Sequence, residues 1–532
     1  MVRRRIQGSG YAGRTPLFAA LRRVFRLAQQ SNHPKAPPLD EYLDMHSASR
    51  QAWGRRDFLR ATTGAAALGL GGAWLTACSK QGPRIAIVGG GMAGLNAAYI
   101  LKKSGILANV YEAGKRLGGR IYTATDVLGP GLYSELGGEF IDSGHEDVLG
   151  LAKEFGLQLL DRHGPGEAEL RAGYFFGGRH YTPRQIISEF KPLARRINVD
   201  AKSIGEGVSA DSANAAGKRL DRMSVAHYLE HIGARGWVRD LLQTAYVVEF
   251  GLDADQQSAL NLITLIGTEL TSGKFEVFGE SDERFKIKGG NELLISNLAQ
   301  HLTDQIHLEN KLEAIDGSRG AYTLTFQTPA GIKDIKADMV LTTLPFNLLR
   351  EVKITVDLPE WKKTAISQLG YGTNSKLLLG MSQRVWRKQT YSGELFTDEP
   401  LQSSWDSFQI QDGKAGGLTL FLGGRAGVEV GHDTPEQQAN RLIVGAERAF
   451  PGVRNAYTGK VARFHWPSYP LARCSYACYK PGQWSSIAGN EFKPVDQLYF
   501  AGEHTSTDFQ GYMNGAAETG RRAAQAMLAV LA

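Results

Sequence analysis

A glycine cluster followed at fixed distance by an acid is the first group of residues here that could do chemistry. Residues 85–123 read IAIVGGGMAGLNAAYILKKSGILANVYEAGKRLGGRIYT. A β-branched run at 85–88 ends in Gly89-Gly90-Gly91-Met92-Ala93-Gly94 and opens a helix. Gly89 permits a tight turn, Gly91 lets backbone approach a pyrophosphate, and Gly94 lets helix and strand pack closely. The helix N-terminus then faces the phosphates with free N–H groups. Glu112 follows Gly94 by 18 residues, at the end of the next strand, where an acid accepts hydrogen bonds from a ribose. Strand, turn, helix, strand and acid occur in order, so a dinucleotide site is expected.

The continuation narrows the dinucleotide. Glu112-Ala113-Gly114-Lys115-Arg116-Leu117-Gly118-Gly119-Arg120-Ile121-Tyr122-Thr123 resembles the EAxxRxGGRxxT signature of the flavin-dependent amine oxidases. That family spans monoamine and polyamine oxidases, L-amino-acid oxidases and flavin histone demethylases. The resemblance implies FAD, with Glu112 on the ribose and Arg116 and Arg120 among the cofactor contacts. Many members carry an arginine two residues after the acid; here Gly114 stands there.

A second match lies at the other end of the chain. Leu498-Tyr499-Phe500-Ala501-Gly502-Glu503-His504-Thr505 is followed by Gly511-Tyr512-Met513-Asn514-Gly515-Ala516. An apolar strand delivers an acid to a glycine-bounded turn, and small residues open a helix whose N–H groups can face flavin carbonyls. The resemblance implies that Glu503 binds the ribityl hydroxyls, that Tyr512 and Met513 lie against the flavin, and that Leu312 holds the adenine. Residues 136–142 (LGGEFID) read as a strand and turn that bring Gly138 and Glu139 to the cofactor.

The catalytic candidate is Lys376, in Gly370-Tyr371-Gly372-Thr373-Asn374-Ser375-Lys376 with Trp386 ten residues on. The segment resembles the one whose lysine holds a water against flavin N5; without that match Lys376 would read as a solvated strand lysine. The implied reaction is hydride transfer from a neutral amine to N5, hydrolysis of the imine, and reoxidation by O2 to hydrogen peroxide, with the cofactor carrying the redox step. Ser475 aligns where some relatives carry a flavin-linked cysteine, and Cys474 comes one residue early with its thiol turned away by strand alternation. FAD is therefore expected to be noncovalent.

The substrate is the least specified part. Phe140 stands where amino-acid oxidases carry a carboxylate-binding arginine. Asp142 falls where some polyamine oxidases carry an acid, so it either binds a cationic amine or forms a turn before Ser143-Gly144. Tyr512 supplies one wall of an aromatic pair, but the partner position is Leu471. An L-amino-acid oxidase, a desaturase acting on a non-amine and a flavin-binding protein without turnover remain alternatives.

These residues must be positioned by an α/β fold. Apolar periodicity predicts helices over 147–155, 224–232 and 256–269, and a helix after Lys288-Gly289-Gly290-Asn291. Strands are expected over 311–315, 322–328, 338–345, 376–381 and 418–422, with strand, turn and helix over 497–532. The interleaving resembles a Rossmann-like FAD-binding domain assembled from discontinuous segments (83–150, 285–350 and 485–532). An inserted α+β substrate-binding domain would comprise 151–284 and 351–484.

Upstream of residue 83 the signals concern targeting. Arg55-Arg56-Asp57-Phe58-Leu59-Arg60 precedes a weakly apolar, glycine-containing stretch and Leu75-Thr76-Ala77-Cys78. This reads as a twin-arginine leader over 1–78 with a lipoprotein box at Cys78, too short and glycine-rich to span a membrane. Export to the periplasm, or a peripheral lipid anchor, is expected. Residues 16–28 are basic and amphipathic: either Met45 is the start, or this is a membrane-surface helix.

Residues 1–78 carry twelve Lys and Arg against four Asp and Glu. The whole chain carries 61 against 54, which leaves residues 79–532 at 49 against 50. Nucleic-acid binding is therefore not expected. The 532 residues and 42% hydrophobic content suit two or three domains. Three cysteines are too few for a disulfide framework, and Cys474 and Cys478 read as buried thiols. His227-Tyr228-Leu229-Glu230-His231 matches a zinc pattern by chance, and no metal is expected.

Overall fold

A computed structural model describes residues 82–266 and 282–532. The twin arginines, Cys78, Met45 and the end of the helix expected over 256–269 lie outside the described residues.

The central sheet is parallel and drawn from distant parts of the chain. Its order is Leu498–Phe500, Met339–Thr342, Ile85–Val88, Ala108–Tyr111 and Ile306–His307. Every neighbouring pair is parallel. Ile85–Val88 is buried at all four positions, as a strand covered on both faces must be. Helix Met92–Lys103 follows it directly, and a Cβ on Gly94 would sit 2.1 Å from the Gly89 carbonyl oxygen. Only glycine allows that approach. The C-terminal helix Met513–Leu531 packs on Met92–Lys103, where a side chain on Gly520 would strike the Ala93 carbonyl. The first and last helices of the described chain thus share one layer.

A second sheet of seven strands forms the opposing body. Its order is Tyr457–His465, Ser375–Met381, Gly416–Leu422, Ser403–Asp406, Tyr391–Thr397, Arg171–Phe176 and Arg179–His180. Helices Pro183–Ser203, Val225–His231, Gly236–Phe250 and Ala259–Ile266 accompany it. A four-stranded sheet, of Gly331–Ala337, Ala321–Thr328, Lys311–Ser318 and Lys353–Ile354, lies between the parallel strands in sequence. The expected helices and strands occur, with ends shifted by a few residues; Ser224 caps its helix by accepting from His227 N–H.

One expected strand is different. Strand Tyr133–Glu135 stops before the Gly137-Gly138 pair, and residues 136–142 are irregular apart from a single bridge at Ile141. The reason is where the carbonyls go. Glu135 and Gly137 carbonyls accept from Lys376 Nζ, and those of Gly138 and Glu139 accept from Asn291 Nδ2. With side chains satisfying the backbone, no ladder partner remains for a strand.

Candidate active site

The dinucleotide turn is built as its spacing implies. The Gly90 and Gly114 N–H groups both donate to the Glu112 carboxylate, at 2.8 and 2.7 Å, which ties the acid to the glycine turn. A Cβ on Gly90 would meet Leu117 at 2.5 Å, whereas one on Gly91 would have nothing nearer than the Gly119 Cα at 3.9 Å. Gly91 therefore presents bare backbone to open space, as close approach by a pyrophosphate requires. Leu312 is buried at the start of its strand. The preceding residue but one, Asn310, donates its N–H to the Glu112 carbonyl, which sets the start of this strand beside Glu112.

Arg120 and Glu503 join the two ends of the chain. Arg120 Nη1 donates to Glu503 Oε1 and to the Ser475 carbonyl, each at 2.8 Å. Glu503 also accepts from the Ala477 and Gly511 N–H groups. A Cβ on Gly137 would lie 1.9 Å from the Arg120 carbonyl oxygen, and one on Gly138 would meet Met513 Cγ at 2.8 Å. The first, middle and last segments thus meet at one glycine-lined cradle, and these residues fit FAD. Arg116 does not face it. Its guanidinium donates to the carbonyls of Leu117, Gly119 and Ile121 and stacks on Tyr122 at 4.2 Å. It braces the loop that carries Arg120, because three local carbonyls there would otherwise lack donors.

Lys376 is buried, and it lies on the face of its strand opposite Leu377 and Leu379, which pack with Trp386 in the sheet's other core. Its three N–H bonds are all taken: Glu135 O and Gly137 O at 2.9 Å, and Glu139 Oε2 at 2.8 Å. Glu139 is shared. Lys286 Nζ donates to its other oxygen at 2.9 Å, and Trp405 Nε1 donates to Oε2 at 3.1 Å. Burial alone would raise the Glu139 carboxyl, but the two ammonium groups overturn this and hold it at about 2. Glu135, at the end of the preceding strand, is pushed up to about 7 by burial against the pull of the Asn291 N–H.

Phe140 and Asp142 flank this network. Phe140 packs edge-on against Trp405, with the Arg162 guanidinium 4.2 Å from its ring centre. Asp142 is buried; its Oδ1 accepts from the Glu283 N–H at 2.7 Å, and its own N–H donates to His145 Nδ1. The turn at Ser143-Gly144 is closed by backbone and by His145, while the Asp142 carboxylate points inward. The His145 ring lies 4.8 Å from that of Tyr512, and burial lowers it to about 3, so it is neutral.

One expectation about the segment after Trp466 is corrected. Leu471 has a place at the nucleotide turn. Its Cδ1 would lie 2.7 Å from a Cβ on Gly114, so it covers the nucleotide loop. The alternation expected at Cys474 does not apply, because residues 471–478 form no regular strand. Its thiol is buried near Arg120 and Glu503, and burial pushes it up to about 12 despite Arg120. A thiol held protonated is a poor nucleophile, in keeping with FAD held noncovalently. Ser475 Oγ is closed off by Asn374 Oδ1 at 2.7 Å. The thiols of Cys474 and Cys478 are both buried.

Lys286, Trp405, Arg162 and Glu283 escaped the sequence reading. Lys286, in strand Phe285–Ile287, had one signal: a lysine between Phe285 and Ile287, on a strand too short to show alternation.

Comparison with known proteins agrees with this geometry. Residues 92–528 match the model of the flavin containing amine oxidoreductase family. Amine oxidase [flavin-containing] of Oncorhynchus mykiss is 24% identical over 468 residues, covering 84% of this chain and 85% of its own. Human amine oxidase [flavin-containing] B is 25% identical, covering 84% and 86%. Among solved structures, cyclohexylamine oxidase from Brevibacterium oxydans aligns with a TM-score of 0.72 at 21% identity, covering 85% of this chain and 99% of that one. Putrescine oxidase bound to putrescine aligns with a TM-score of 0.71 at 21% identity, covering 84% and 99%. With a family match across most of the chain and the fold of two amine oxidases, this protein belongs to the flavin-containing amine oxidoreductases and is an FAD-dependent enzyme.

Proposed function

We propose that the enzyme is an oxidase of a primary or secondary amine. What carries this reading is the meeting of the Arg120–Glu503 pair, the Gly137-Gly138 backbone and Met513 beside the Phe140–Trp405 wall. Bound FAD supplies a two-electron acceptor, so that an amine loses its α-hydrogen as hydride, the imine hydrolyses to a carbonyl compound, and O2 takes the electrons as hydrogen peroxide.

The protein's share is positioning and charge. Glu112 and Gly91 take the adenosine and pyrophosphate end, and Glu503 and Arg120 the ribityl region. Lys376 contributes a fixed ammonium, because Glu135 O, Gly137 O and Glu139 occupy all its donors. Holding a water as well requires one of these bonds to yield. Lys376 and Lys286 together hold the Glu139 carboxylate from both of its oxygens. Phe140, Trp405 and Tyr512 exclude water from the amine. A carboxylate-bearing substrate is disfavoured: Arg162, the guanidinium at Phe140, is saturated by Glu394, Gln409 and the Glu283 carbonyl.

Anaerobic mixing of the holoenzyme with a panel of amines tests the reading. Flavin bleaching by at least one amine, with peroxide on readmission of air, is expected; no bleaching across the panel removes it. Export is part of the same proposal and rests on Arg55-Arg56 and Leu75–Cys78 in the sequence. Paired Arg55→Lys and Arg56→Lys changes should leave the protein in the cytoplasmic fraction.

A further inference from the structure

Lys286 holds Glu139 from the side away from Lys376. Its side chain is 2% exposed, in the short strand Phe285–Ile287, and Nζ donates to Glu139 Oε1 at 2.9 Å and to the Ser407 carbonyl at 3.2 Å. Burying an ammonium group is costly, and one lysine suffices to pair a carboxylate. Lys376 already fills that place on Glu139 Oε2, at 2.8 Å. A second buried lysine on the same carboxylate therefore does something other than pair its charge.

An unbroken line of short contacts runs from Lys286 to the cofactor cradle. Lys376 gives one donor to Glu139 and another to the Gly137 carbonyl, 2.9 Å away. The Gly137-Gly138 pair lies on Arg120: the Gly138 N–H donates to the Arg120 carbonyl at 3.0 Å, and a Cβ on Gly137 would be 1.9 Å from that oxygen. Arg120 in turn pairs with Glu503 at 2.8 Å. Of the three acceptors on Lys376, two are carbonyls and Glu139 is the charged one. The charge-assisted bond is the strongest of the three, so Glu139 decides where the ammonium points.

We infer that Lys286 is a positioning residue for Lys376: by holding Oε1 of Glu139 it aims the opposite oxygen at Lys376, and so fixes that ammonium against the Gly137 carbonyl at the flavin cradle. The inference rests on the amine oxidase reading and deepens it. Two ammonium groups, Lys286 and Lys376, face Glu139; the Glu135 carboxylate acts on it with like charge, and Trp405 Nε1 is a neutral donor. Together the lysines outweigh burial, which alone would favour the neutral acid. With an apolar residue in place of Lys286, burial and Glu135 are opposed by one ammonium instead of two, and the carboxyl rises. Where it takes up a proton, Lys376 loses its charged acceptor and the Gly137 carbonyl loses a fixed donor.

The test is Lys286→Met in the FAD-loaded enzyme, read in two ways between pH 5.5 and 9. One is the flavin absorption spectrum without substrate; the other is the rate of anaerobic flavin reduction at saturating amine, taken as a ratio to the wild type. Near pH 9 Glu139 is ionised in both enzymes and we expect rates within about twofold, whereas near pH 6 the variant should be slower by about tenfold, the order of the difference between a charged and a neutral hydrogen-bond acceptor. The variant's spectrum should gain a transition over the same interval. Glu135, pushed up to about 7, titrates there too, so Lys286→Met/Glu139→Gln makes the assignment: the added transition should vanish and the rate stay low at every pH. Lys286→Arg, which keeps the charge, should behave as the wild type. If Lys286→Met does not retain FAD, Lys286→Gln takes its place with the same expectations. A variant equal to the wild type throughout, or slowed by the same factor at every pH, would overturn the inference and leave Lys286 a packing residue. The spectral titration uses no amine, so an enzyme that no amine reduces would remove the oxidase reading while the link from Lys286 to the flavin is still read from the spectrum.

Discussion

Glu139 and Glu283 are both buried glutamates beside Phe140, yet one is saturated and the other is bare. Glu139 accepts from Lys286, Lys376 and Trp405 and is held at about 2. Glu283 has its backbone fixed at both ends, and its carboxylate oxygens have no hydrogen-bond partner among the described residues. The contrast separates two uses of a buried charge. A charge with matched partners is part of the scaffold, and removing it strands the partners. A charge whose main chain is held while its head is left bare awaits something that comes and goes.

The largest effect should come from breaking the satisfied site. Glu139→Ala leaves two buried ammonium groups unpaired, and we expect a loss of about 3–5 kcal/mol in denaturant unfolding of the holoenzyme, with weakened FAD retention. The same pair should show in acid. Its folded value of about 2 lies below the ordinary 4.5, so its stabilisation is complete above pH 4.5 and fades as pH falls toward 2. That limb is worth about 3 kcal/mol, read from unfolding free energies across the interval.

Intermediate effects should come from the clamp on Glu283. Asp142→Ala removes the acceptor for a buried N–H and should cost about 1–3 kcal/mol, whereas Asp142→Asn, which keeps an oxygen there, should cost less. A smaller effect is expected at Glu283 itself. A carboxyl raised above its ordinary value stabilises the fold at low pH and loses that contribution as pH rises through its folded value. Glu283→Gln does not titrate, so its stability relative to the wild type should rise from pH 5 to pH 8. If the variant instead lost stability over that range, Glu283 would be a scaffold residue like Glu139 and the contrast would collapse.

The parts of this arrangement legible in the sequence are those whose geometry is local. Gly89, Gly91, Gly94 and Glu112 lie in one strand–turn–helix–strand unit, where spacing along the chain fixes distance in space. Glu503, Tyr512 and Met513 stand in a comparable short unit at the other end. The Lys376 network was not legible, because its acceptors lie some 240 residues upstream and two of them are backbone carbonyls, which carry no residue signature. Glu283 was hidden for a similar reason. What distinguishes it is an absence of partners, and a sequence displays no absences. The orientation of Cys474 was not legible because alternation was assumed in a segment without a regular strand.

The Arg120–Glu503 bond has a consequence for how the protein comes into being. The strand at the centre of the parallel sheet is synthesised first among the five, but the edge strand Leu498–Phe500 and the carboxylate that meets Arg120 arrive only with the final few dozen residues. On a ribosome, the nucleotide turn can form early while its ribityl end stays open until translation is almost finished. Non-local closure of this kind is slow and leaves apolar surface exposed in the interim. Chains shortened before residue 498 should therefore emerge without FAD and in chaperone complexes or aggregates, so the colour of the flavin reports that the whole polypeptide has been made and closed.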